Sequence, residues 1–100
     1  MPERFLSSEE YDEQAHQLYN DGDYEGALEM LKEGLSLYPN AVELCVGMGY
    51  ARLAREEYAW ARQAFERALV LDQGHGDGLV GLGETLLRFG EQETALGLFE

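Results

Sequence analysis

The sequence predicts an all-α chain folded as a stack of antiparallel helix hairpins, about two and a half of them in 100 residues. Three observations carry that expectation. One pattern of small and large residues returns at a fixed period of 34, the length of a helix-turn-helix unit. Within each unit, residues of that pattern fall at i, i+3, i+4 and i+7, which is one face of a helix. Turn residues lie between the runs, and the two prolines, Pro2 and Pro39, stand outside them, so nothing breaks a helix from within.

The pattern is clearest from Val42 to Gln73, where Cys45-x-x-Met48-Gly49-x-x-Arg52 is followed by Ala61-x-x-x-Phe65, Ala68 and a turn at Gln73. One period upstream it reads Tyr11-x-x-Gln14-Ala15-x-x-Leu18, Ala27-x-x-x-Leu31, Gly34 and Pro39. One period downstream it reads Leu79-x-x-Leu82-Gly83-x-x-Leu86 and Ala95-x-x-x-Phe99. Ala27, Ala61 and Ala95 share one phase. Small residues belong at such positions because the two helices of a hairpin cross closely there, and a large side chain would wedge them apart.

Each element follows in order. Residues 1 to 6 read as a short tail. Ser7 followed by Glu10 is a capping box, which starts a first helix running to about Asn20. Asn20-Asp21-Gly22-Asp23 is turn chemistry, with Asp23 suited to cap the second helix. That helix carries Tyr24, Ala27, Leu28, Leu31 and Leu35 on one stripe and ends at Pro39. Asn40 and Glu43 repeat the capping logic and open a third helix, whose inner stripe is Cys45, Met48, Gly49 and, unusually, Arg52. A fourth helix spans about Tyr58 to Leu71. Gln73-Gly74-His75-Gly76 makes a looser, glycine-rich turn. A fifth helix is expected from about Asp77 to Phe89, with Gly90 turning the chain and a sixth helix beginning near Glu91. That last helix would stop short at Glu100, and repeat arrays normally finish on a polar cap, so the chain is expected to be a piece of a longer protein or a deliberately bounded segment.

In this order and at this period the residues resemble the tetratricopeptide repeat family over almost the whole chain. The resemblance implies a right-handed superhelix of stacked hairpins: an N-terminal tail at 1–7, repeats at 8–41 and 42–75, and a truncated third repeat at 76–100. It also implies a protein-binding module. In that family the first helix of each repeat lines a concave groove. Carried over by phase, the groove residues are Glu9, Asp12, His16 and Tyr19, then Val46, Tyr50 and Leu53, then Val80, Glu84 and Leu87. Within each helix they stand three, four or seven apart and so share a face. Such a groove is acidic at its start and apolar in its middle. Its complement is an extended or helical partner segment with basic and apolar side chains, and Tyr50 is the expected anchor. One branch of the family grips chaperone C-terminal carboxylates with lysines, an arginine and asparagines on this face. Here those positions hold Asp12, His16, Val46, Tyr50, Val80 and Glu84, with Arg88 alone at the rim, so carboxylate-clamp binding is not expected. The alternative reading is a structural spacer or assembly segment of a longer repeat protein, with no groove ligand.

Charge narrows the partners further. Twenty acids against seven bases give a net charge of −13. Residues 1–41 hold ten of the acids and two of the bases, residues 42–75 five and four, and residues 76–100 five and one. A field of that sign repels phosphate backbones and anionic lipid, so neither nucleic acid nor membrane is an expected partner. Only one base is lysine, Lys32, and that scarcity beside the acid excess resembles proteins of high-salt cytoplasms; ordinary solubilising acids on helix exteriors account for it equally well. The single cysteine, Cys45, excludes an internal disulfide; no leader pattern opens the chain, and no run approaches the roughly 20 apolar residues of a membrane span. A soluble cytoplasmic protein is expected.

Several patterns suggest chemistry that their context does not support. Gly76-x-Gly78-x-x-Gly81 matches a dinucleotide fingerprint by letter, but no strand precedes it. Asp21-x-Asp23-x-Glu25-Gly26 opens like a calcium loop, yet its twelfth position is Lys32 where a bidentate Glu is required. His16 and His75 have no Cys or His at ligand spacing. Cys45 falls on a core stripe, where burial raises a thiol's pKa and makes it inert. Ser7 and Ser8 read as cap residues, and Ser36 closes a helix with no base nearby. No catalytic, cofactor or metal site is expected, and the chain is not read as an enzyme. Trp60 is the remaining oddity: either half-buried against a neighbouring helix, or part of a second, convex contact surface.

Overall fold

A computed structural model describes residues 5–97, and these form five helices with no strand: α1 (Ser8–Asn20), α2 (Tyr24–Leu37), α3 (Val42–Ala54), α4 (Tyr58–Leu71) and α5 (Gly76–Ala95). The first four helices begin and end within a residue or two of the limits that capping and turn chemistry set. Part of the expected tail, residues 1–4, and also Phe99 lie outside the described residues.

The caps show why. Ser7 N–H donates to Glu10 Oε1 at 2.7 Å and Glu10 N–H donates to Ser7 Oγ at 3.1 Å, a complete capping box at the head of α1. Asp23 Oδ1 accepts from Gly26 N–H at 2.8 Å and caps α2. Gly22, at φ +83°, turns the chain between them in the left-handed region that glycine tolerates. One period later the same turn is made by Glu56 at φ 63°, a conformation costly for a residue with a Cβ. Ion pairs hold that turn instead: Arg52 Nη1 reaches Glu57 Oε1 at 2.9 Å and Arg55 Nε reaches it at 3.3 Å. The hydrogen bond from Arg52 holds the Glu57 carboxyl below its usual range.

Two local expectations are corrected. Asn40 does not cap α3: Ala41 stands at that position with no side-chain cap, and Asn40 Oδ1 accepts from Arg67 Nη2 at 2.9 Å, tying the α2–α3 turn to α4. The predicted turn at Gly90 and the separate sixth helix do not occur, because α5 runs unbroken from Gly76 to Ala95. A lone glycine costs a helix about 1 kcal/mol against alanine but does not by itself turn it. The earlier turn at Gly22 works with Asp23 as a cap, whereas Glu91 follows Gly90 and its neighbours up to Ala95 are compatible with a continuing helix.

Packing places α3 at the centre, against all four other helices. Helices α1, α3 and α5 form one layer, each touching the next, while α2 and α4 lie behind it and, among the described residues, their backbones do not approach each other closely. Two cores meet at α3. Tyr11 and Ala15 of α1 pack with Leu28 and Leu31 of α2 and with Leu44 and Ala51 of α3. On the other side Cys45 and Val46 of α3 pack with Ala61, Phe65 and Ala68 of α4. Burial pushes the Cys45 thiol pKa up. Phe65 is fully buried between two glycines; a Cβ on Gly49 would stand 2.6 Å from its ring and one on Gly81 2.3 Å. Truncating Phe65 to alanine would cost about 3–5 kcal/mol.

Trp60 is not half-buried against a neighbour. It is 58% exposed, with the Arg52 guanidinium 5.5 Å above its ring. Arg52 thus leaves the core stripe on which its spacing placed it, covering Trp60 and pairing with Glu57. Among the described residues, no helix is long and apolar enough to cross a membrane.

Candidate functional site

The layer of α1, α3 and α5 carries a concavity of about 440 Å³, within the roughly 300–1,000 Å³ range of ligand sites. Its depth comes from small side chains. Ala15 of α1, Ala27 of α2 and Gly47 of α3 form a floor with Leu31 and Val46. A Cβ on Gly47 would already meet Leu31 at 3.2 Å, so close packing of α2 against α3 and the low floor have one cause.

The walls are aromatic and acidic. From α1 rise Asp12, His16 and Tyr19; from α3, Glu43 and Tyr50; from the first turn of α5, Asp77. Tyr50 is fixed from two directions: its ring meets Phe65 edge-on with centroids 5.0 Å apart, and its hydroxyl donates to the Asp77 carbonyl at 2.9 Å. Tyr19 is steadied by Tyr24 of α2, edge-to-face at 5.2 Å. Both phenols are pushed up in pKa, first by burial and then by neighbouring groups.

Electrostatically the cavity is negative. Asp12, half-buried, has its carboxyl pKa raised, chiefly by burial and then by Glu43 facing it from α3. Among the described residues no lysine or arginine forms an ion pair with Asp12, Glu43 or Asp77. Glu43 pairs with His75, whose Nε2 lies 2.7 Å from its Oε2. His75 Nδ1 accepts from Gly78 N–H at 3.0 Å and so caps α5. That bond assigns the proton of the neutral ring to Nε2, which donates to Glu43. The hydrogen bond to Glu43 also raises the His75 pKa above its ordinary 6.5.

The structure brings together five of the ten groove residues named by phase: Asp12, His16, Tyr19, Val46 and Tyr50. The other five do not line this cavity. Glu9 is exposed at the head of α1, outside the cavity. Leu53 packs against the second core. Val80 and Leu87 stand exposed on α5, and Glu84 pairs with Arg88 at 3.0 Å. Six lining residues are not among those ten: Ala15, Ala27 and Leu31, which the spacing placed on core stripes, and Glu43, Gly47 and Asp77. The signal for the last three was present: Glu43, Val46, Gly47 and Tyr50 stand at i, i+3, i+4 and i+7, and Asp77 lies three before Val80 and one 34-residue period after Glu43. Reading Glu43 only as a capping residue hid it.

The other candidate groups are occupied structurally. Ser36 Oγ donates to the Glu33 carbonyl at 2.7 Å, and Cys45 is enclosed by its core. Among the described residues, no group of three His, Cys, Asp or Glu side chains is placed to hold a metal ion. No family model and no curated protein matches the chain.

Proposed function

We propose that this chain is a non-catalytic protein-interaction module, in which α1 and α3 present a preformed groove to a segment of a partner protein. The 34-residue period supports reading the helices as tetratricopeptide-like hairpins. So does the layering, since an array whose first helices touch while its second helices splay curves toward the first-helix side, in keeping with a superhelix concave on that face. The observation that carries the reading is the fixed aromatic wall over a small-residue floor. Tyr50 is held by Phe65 and by the Asp77 carbonyl, so little conformational entropy remains to be lost when a partner covers it. The lining suits a partner that is basic and apolar, and the same sign disfavours nucleic acid and membrane surfaces.

Panning a library of random dodecapeptides on the chain tests this, with selected peptides re-measured on Tyr50→Ala. Peptides that bind the wild type and lose affinity on a folded Tyr50→Ala support the groove. Peptides that bind both proteins equally would remove it. A second reading, a structural segment whose own chain or neighbour covers it, draws on α5, where Leu79, Val80, Leu86 and Leu87 are all at least 47% exposed.

A further inference from the structure

We infer that the groove between α1 and α3 is a socket for an arginine side chain, its guanidinium seated among the carboxylates of Asp12, Glu43 and Asp77 with the Tyr19 and Tyr50 rings alongside. This rests on the reading of the groove as a partner-binding surface and states what that surface selects.

Three observations argue for it. The cavity is rich in acid: Asp12, Glu43 and Asp77 line it, among the described residues neither lysine nor arginine pairs with any of them, and the nearby basic groups are two histidines, His16 in the lining and His75 bonded to Glu43. The acids come from three different helices, so only folding assembles them, and the Glu43 charge is close enough to Asp12 to push its carboxyl pKa up. A cation between them relieves that repulsion where a neutral side chain does not. Finally, the concavity is aromatic: the small residues Ala15, Ala27 and Gly47 line it beside two tyrosines held by ring contacts. A flat guanidinium can lie on a tyrosine face and donate from its fork to carboxylate oxygens, while the aliphatic stem covers the apolar floor. At about 440 Å³ the space exceeds one side chain, which leaves room for the partner backbone on either side.

Arginine is favoured over lysine for a geometric reason. The acids stand on three different helices around one cavity, and a planar donor with five N–H groups can reach more than one of them while still stacking. The ammonium of lysine satisfies the charge but leaves the tyrosine rings without a planar partner.

The test uses two matched probes on the whole chain, N-acetyl-argininamide and N-acetyl-citrullinamide, which differ by charge at nearly constant shape. Binding is followed by the backbone amide shifts of 15–19, 46–50 and 77. The arginine probe is expected to shift these amides saturably, with citrulline at least about fivefold weaker, as expected for loss of a part-exposed ion pair. Asp12→Asn, which leaves the Glu43–His75 bond intact, should weaken the arginine probe by about two- to fivefold. Glu29→Gln, an exposed residue of α2 outside the cavity that pairs with Lys32, should leave it unchanged. Equal shifts from both probes, or none from either at tens of millimolar, would overturn the socket. The peptide panning reads the wider function separately. Groove-binding peptides that lack arginine would refute the socket and keep the module, whereas a docking arginine probe with no selected peptide would keep the socket and refute the peptide groove.

Discussion

Phe65 offers the sharpest test of the packing that positions the groove. It is fully buried between the bare backbones of Gly49 on α3 and Gly81 on α5. Replacing Gly81 by alanine brings a Cβ to 2.3 Å from the ring carbons, where ordinary contact is 3.4–4 Å, so the ring or the helix must yield by about an ångström. Gly49 prevents the ring from yielding: a move of the ring away from α5 brings it against the α3 backbone. Overpacking of this kind costs about 1–3 kcal/mol, against the roughly 0.5–1 kcal/mol that alanine gains over glycine inside a helix. Gly83 supplies the control, since it lies two residues further along the same helix, is exposed, and would place its Cβ in open space. Gly81→Ala should therefore be destabilised by about 1–2 kcal/mol and Gly83→Ala stabilised by about 0.5–1 kcal/mol. In a domain of this size that separates their melting midpoints by roughly 10–20 °C, on opposite sides of the wild type. Thermal melts followed by far-ultraviolet circular dichroism measure both. A Gly81→Ala variant that melts at or above the wild type would refute the sandwich and, with it, the account of how α5 is seated.

Other predictions follow from the turns, the site and the charge. Glu56→Gly should raise stability by about 0.5–1 kcal/mol in urea unfolding, because it relieves a left-handed residue with a Cβ and removes an acid from the C-terminal end of α3; an unchanged or lower midpoint would contradict this. His75, with its pKa raised by Glu43, binds its extra proton more tightly folded than unfolded, the gain at Glu43 outweighing the bond from Gly78 N–H that a proton on Nδ1 gives up. Its contribution to stability is thus fully present below about pH 6.5 and fades as pH rises through the higher folded value. The imidazole resonances should titrate above 6.5 in the wild type and fall back in Glu43→Gln, and an unmoved midpoint in that variant would rule out Glu43 as the cause. Tyr11, whose phenol is pushed up to about 12 by its hydrogen bond to Glu33, should stay protonated in the folded chain after ordinary tyrosines ionise, so stability falls between about pH 10 and 12. Ultraviolet titration of Tyr11→Phe against wild type should show one late-ionising phenol lost. At a net charge of −13 the melting midpoint should rise with salt up to the molar range, where the Debye length shrinks to about 3 Å; a flat response would sink both the self-repulsion argument and the high-salt reading of the acid excess.

The helices were legible because their ends are written locally. Ser7 with Glu10, and Asp23 after Gly22, each complete a hydrogen bond within four residues, so no distant contact is needed to place them. Asn40 has the right letter in nearly the right place, yet its side chain meets Arg67, which lies 27 residues away in sequence, and that is a tertiary fact. Gly90 failed for a related reason. A glycine turns a helix only when capping and packing on both sides favour the turn, and a periodic match to Gly22 carries neither. Glu56 is the converse case, where no turn-forming residue is present and paired arginines at Glu57 hold the bend.

The site was harder to read because α3 is apolar on more than one face. Leu44 and Ala51 serve one core, Cys45 and Val46 the other, and Glu43, Gly47 and Tyr50 open to the groove. A single stripe at helical spacing describes a helix with one buried side, and α3 has two, since among the described helices it lies against all four others. That central position is also why a groove can form beside it. The small residues Ala15, Ala27 and Gly47 let α1, α2 and α3 approach, and the same absence of side-chain volume leaves space on the open face between Tyr19 and Tyr50. Close packing at the back and a cavity at the front are therefore one feature of the sequence. A substitution that enlarges Gly47 should disturb both together: the packing with Leu31 by contact at 3.2 Å, and the groove by raising its floor.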